Sequence, residues 1–165
     1  VGISALYRRY RSKEEMIQQL SLDGLRRFIT EAEQALADEG DPWEAFARFM
    51  WRCVETGANS LTLRFAGTFT PTEEMYREGR KAYAILQQLL DRAKAASALR
   101  DEIVVGDLSL IFEQLQTVRL GDEQRTRQLR QRYLALTLDA LHNVSGSTLP
   151  GPAPSWEEIG RRYER

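Results

Sequence analysis

A chain of 165 residues is long enough to build one well-buried core, and 42% hydrophobic with 28% charged residues excludes a disordered segment. The formal net charge of −1 excludes a molecule that grips polyanions over its whole surface. A single cysteine, Cys53, rules out an internal disulfide and suits a reducing compartment, and no apolar run approaches the roughly 20 residues of a membrane span.

Residues 1–13 differ from the rest. Arg8, Arg9, Arg11 and Lys13 fall within six positions and no acid lies among them, which leaves 19 basic and 24 acidic residues elsewhere. As a short helix, this stretch places Ile3, Leu6 and Tyr10 on one face and Ser4, Ala5, Arg8 and Arg9 on the other. Small leading residues followed by arginines suit close entry into a DNA major groove. The plain alternative is a solvated terminus. Ser12 and Glu15 then form a capping box, and Lys13 with the first amides offers a seat for a phosphate.

That box opens a helix over 13–38, with an apolar stripe from Met16, Ile17 and Leu20 through Leu25, Phe28, Ile29 and Ala32 to Leu36, stopped by Gly40. Asp41 with Glu44, and Pro42 at the first helical position, start a second helix over 42–57 carrying Trp43, Phe46, Met50, Cys53 and Val54. Residues 61–69 form an apolar link without a clear period. Thr70 with Glu73, and Pro71 at the first helical position, predict a long helix over 71–97. Its apolar positions include Met75, Tyr76, Tyr83, Leu86, Leu89, Leu90 and Ala93. Leu108, Ile111, Phe112, Leu115 and Val118 mark a helix over 105–120, ended by Gly121, and another runs over 122–143. Ile103-Val104-Val105 is strand-like but has no partner run. The proline-rich stretch after 143 reads as a linker, and Ser155 with Glu158 caps a short helix able to dock Trp156, Ile159 and Tyr163.

The 122–143 helix has two apolar stripes: Leu129, Tyr133, Leu136 and Ala140, and Leu134, Leu138 and Leu141. A helix apolar on two sides must be covered on two sides. In a chain of this size a second copy is the expected cover. The expected arrangement is a four-helix bundle of 105–120 and 122–143 with their symmetry mates, with Leu115, Val118, Tyr133, Leu134, Leu138 and Leu141 at the interface.

Catalytic chemistry has little to stand on. One histidine, His142, and one cysteine give no zinc cluster, the glycines form no phosphate-cradling loop, and Cys53 sits on an apolar stripe. No cofactor is expected, and the reading is not an enzyme. A non-catalytic helical sensor or adaptor is the alternative, although it has no use for a basic head.

The opening residues resemble the second half of the helix-turn-helix of the TetR family of transcriptional regulators. The family segment commonly reads Gly-Val-x-x-x-x-Leu-Tyr-x-x-Phe/Tyr-x-Ser/Thr-Lys/Arg-Glu, and Val1, Leu6, Tyr7, Tyr10, Ser12, Lys13 and Glu14 match. The resemblance implies that the first half of the motif precedes Val1. It implies an all-α fold: a partial DNA-binding domain at 1–20, a helical effector and dimerisation domain at 21–145, and a tail with a docking helix at 146–165. Ser4, Ala5, Tyr7, Arg8 and Arg9 then match positions facing DNA, with Tyr7 and Lys13 near phosphate. The implied partners are a pseudo-palindromic duplex operator, a second copy and a small apolar or aromatic effector, in the cytoplasm and away from membranes. The effector would release the operator. The aromatic-rich stretch 43–83, with Phe112, becomes the candidate effector site: Trp43, Phe46, Phe49, Met50, Phe65, Phe69, Tyr76, Tyr83 and Phe112. Asn59, Thr62, Thr68 and Thr70 are its candidate polar groups. Residue by residue those aromatics read better as plain core, and only the resemblance points to a cavity among them.

Overall fold

The computed structural model describes residues 10–58, 67–142 and 144–163. Among these it contains six α-helices and no strand: α1 (Lys13–Ala37), α2 (Pro42–Thr56), α3 (Glu73–Ala95), α4 (Val105–Thr117), α5 (Glu123–His142) and α6 (Trp156–Arg161). The protein is all-α. The strand-like Ile103-Val104-Val105 instead leads into α4, with Ile103 and Val105 buried.

Local chemistry sets the helix starts. The Ser12 hydroxyl accepts from the Glu15 amide, and the Asp41 carboxylate accepts from Glu44 with Pro42 behind it. Gly57, in the left-handed region at φ 63°, stops α2. The third start differs from the sequence expectation. Thr72, not Thr70, caps α3 by accepting from Met75, so Pro71 lies outside the helix and Glu73 begins it. Thr70 is occupied elsewhere: its amide donates to Glu14 and its carbonyl accepts from Gln18, both on α1.

The long helices α1 and α3 lie side by side and parallel. Arg26 pairs with Glu74 at 2.5 Å and Glu33 with Lys81 at 2.7 Å. At the far end the Arg92 guanidinium donates to the Leu36 and Gly40 carbonyls, each at 3.1 Å, closing the carbonyl end of α1. α2 runs back along α1, tied by Arg52 to Glu31 and by Arg48 to Asp38.

One core joins α1 to α5. At its centre Phe28, Phe49 and Phe112 meet edge to face, with centroids 5.4 to 6.2 Å apart. Phe46, Met50, Leu90, Leu108 and Leu134 are fully buried around them. A smaller cluster of Ile17, Leu22, Phe69 and Met75 packs beneath the first turns of α1. No described helix is long and apolar enough to cross a membrane.

Candidate functional site

A cavity of about 540 Å³ opens between α1, α3, α4 and α6. The spacing of α3 makes its largest wall: Met75, Tyr76, Gly79, Arg80, Ala82, Tyr83 and Leu86 recur at three- and four-residue steps on one face. α1 contributes Leu25 and Phe28, and α4 contributes Leu108, Ser109 and Phe112. Trp156, Ile159 and Tyr163 of the C-terminal tail close the remaining side. This size and lining fit a drug-sized, mainly apolar molecule.

The tail is held at several points. Ser155 and Glu158 satisfy each other's amides in a full capping box, at 2.7 and 3.1 Å. Arg162 pairs with Glu113 of α4 at 2.5 Å. The Trp156 ring lies 4.7 Å from that of Tyr83. Upstream, Glu102 accepts from the Leu149 amide at 2.9 Å, and Arg100 donates to the Ser147 carbonyl. Pro154 presses on Gly106, where a Cβ would come within 2.6 Å of the proline carbonyl oxygen. Backbone hydrogen bonds to Leu149 and Ser155 hold the carboxyls of Glu102 and Glu158 below the usual range. Burial pushes the Tyr163 phenol up, so it stays protonated at neutral pH.

The same wall reaches α1. Pro71 and Met75 line the cavity, and Met75 also packs with Ile17 and Leu22 in the smaller cluster. Two residues before Pro71, Phe69 is buried in that cluster, and Thr70 is bonded to Glu14 and Gln18.

The expected effector residues divide. Tyr76, Tyr83 and Phe112 line the cavity. Phe46, Phe49 and Met50 are interlocked core and do not reach it. Trp43 stacks on His142 at 4.2 Å, whose Nδ1 lies 2.7 Å from the Ala98 carbonyl oxygen. Phe69 belongs to the smaller cluster, and Phe65, Asn59 and Thr62 lie outside the described residues. Thr68 and Thr70 are exposed and away from the lining. The sequence reading missed Leu25, Phe28, Ser109, Arg80 and the tail as cavity walls. The tail's three- and four-residue apolar spacing was the available signal.

The other expected sites divide as well. Ser4, Ala5, Tyr7, Arg8 and Arg9 lie outside the described residues, whereas Lys13 is exposed at the first position of α1. Leu115, Leu134, Leu138 and Leu141 are buried in the chain's own core. The other stripe is split: Leu129 is buried, whereas Tyr133 at 48% and Leu136 at 55% stand in solvent. With Ile111, Val118 and Ala140 these two rim a shallow depression between α4 and α5. Cys53 is buried and its desolvated thiol is pushed up, so it offers no thiolate. No group of three metal-ligating side chains occurs among the described residues.

No curated protein matches the sequence. The family model for the C-terminal domain of SbtR-like transcriptional regulators, however, matches residues 41–143, which span α2 to α5. With its all-helical fold and its opening motif, the chain belongs to the TetR family of transcriptional regulators.

Proposed function

We propose that the protein is a ligand-responsive DNA-binding repressor, released from its operator by a small apolar or aromatic molecule held in the 540 Å³ cavity. In this reading residues 1–20 contact DNA, residues 21–145 bind effector and form a homodimer, and residues 146–165 complete the cavity. One observation carries it: the segment 69–75 is at once a cavity wall and the bracket on the first turns of α1. A ligand that displaces this wall moves Lys13 and whatever precedes it. The exposed Tyr133–Leu136 face is assigned to the second copy, which would set the spacing of the two DNA-contacting ends.

Only a difference in effector affinity between two arrangements can drive such a switch, and a tenfold change in operator affinity needs about 1.4 kcal/mol of coupling. The test is selection of genomic fragments with the complete protein, followed by operator titration with and without a bound effector. A pseudo-palindromic site with steep salt dependence, weakened by effector, is expected. Enrichment of no site would overturn the DNA reading. An effector that binds without changing operator affinity would overturn the switch.

A further inference from the structure

We infer that the cavity selects a monoanionic aromatic molecule, with Arg80 receiving its carboxylate or sulfonate. The inference rests on the reading of the cavity as an effector site. Six rings line the space: Phe28, Tyr76, Tyr83, Phe112, Trp156 and Tyr163. Flat walls of this kind favour a planar ligand, which they contact on its faces and edges.

The charge balance of the lining favours an anion. Three charged side chains reach the cavity: Arg80, Glu157 and Arg161. Glu157 and Arg161 face each other one turn apart on the tail, at 3.8 Å, and offset one another. Arg80 has no acidic partner among the described residues. Its neighbours one turn away on α3 are Tyr76 and Ala84, and Arg77 and Tyr83, so no carboxylate lies within reach along its helix face. Gly79 beside it leaves the space open, since a Cβ there would meet nothing within 4 Å.

The lining therefore carries one uncompensated positive charge, on a planar fork suited to two oxygens of one acid group. Arg80 is exposed at the cavity's edge, so water screens part of that attraction and the fork's geometry carries the selectivity. The protonated Tyr163 phenol adds a donor on the tail side. A cationic ligand would instead meet Arg80 with like charge and find only an acid already shared.

Two probes with one skeleton separate the possibilities: 8-anilinonaphthalene-1-sulfonate and the uncharged N-phenyl-1-naphthylamine, both read by fluorescence on the folded chain. The sulfonate is expected to bind at least tenfold more tightly. In Arg80→Gln that ratio should fall to near one, and Arg80→Lys should restore part of it. Gly79→Leu, which fills open space, should abolish binding of both. Equal binding of the two probes by the unaltered protein, or a ratio untouched by Arg80→Gln, overturns the anion assignment and leaves the effector cavity standing. Binding that survives Gly79→Leu places the probes elsewhere and also overturns the assignment. Brightening of neither probe overturns the effector cavity itself.

Discussion

Two glycines on facing helices show how much a single Cβ can decide. Gly79 lies in the interior of α3 with open space beside it. Gly79→Ala removes the backbone entropy of glycine and adds no clash. It should stabilise the fold by about 0.5–1 kcal/mol, read as a rise in Tm of a few degrees. Gly106 lies in the first turn of α4 beneath the Pro154 carbonyl, and the Cβ of Gly106→Ala would intrude to 2.6 Å. Backbone is in the way there, so the tail must shift. Proteolysis should then cut within 144–163 much faster than in the parent while the core helices stay protected. An unchanged cleavage pattern would show that the tail adjusts without leaving.

At the scale of elements, the tail should be the first part of the molecule to respond to acid. Glu102 and Glu158 each hold a tail amide, and both carboxyls are depressed by those bonds. A depressed carboxyl contributes its stability above the unfolded pKa, and that contribution disappears as pH falls through the lower, folded value. The tail should therefore loosen from about pH 4 downward, before the core opens. Trp156 emission compared with far-UV circular dichroism would separate the two events, and coincident transitions would refute it. How far the elements could be read from sequence follows the same physics. Ser12, Asp41 and Ser155 were legible because a cap is a local contact between residues three apart. Thr72 over Thr70 was not legible, because Thr70 is held by Glu14 and Gln18, more than fifty positions away.

For the whole molecule, the proposed homodimer raises the question of which face would meet the second copy. Two apolar stripes on α5 were legible, but periodicity alone cannot say which one the chain buries itself. The structure buries Leu134, Leu138 and Leu141 and leaves Tyr133 and Leu136 in solvent. Leu136→Glu should therefore convert a dimer to a monomer with its helix content intact, checked by light scattering. Leu134→Ala should instead cost the fold about 2–5 kcal/mol, by emptying a fully buried site, measured by chemical denaturation. A protein that is monomeric before substitution would refute the interface. The candidate site was less legible than the fold for the same reason. Aromatic density marked the region, yet whether Phe49 interlocks or Tyr83 borders empty space depends on packing between distant helices.

One wall of the cavity is a helix of only six residues, Trp156–Arg161, with Ile159 as its buried anchor. Short elements with few buried anchors open more readily than the globule they rest on. In the proposed function, lifting of residues 155–163 offers a route for a bound molecule to enter and leave. In stopped-flow mixing, the observed association rate should rise with concentration and level off at that opening rate. Substitutions such as Glu158→Gln should raise the plateau, shortening residence time while the walls that set selectivity stay in place. In the proposed function, the lifetime of the response would then depend on this six-residue helix.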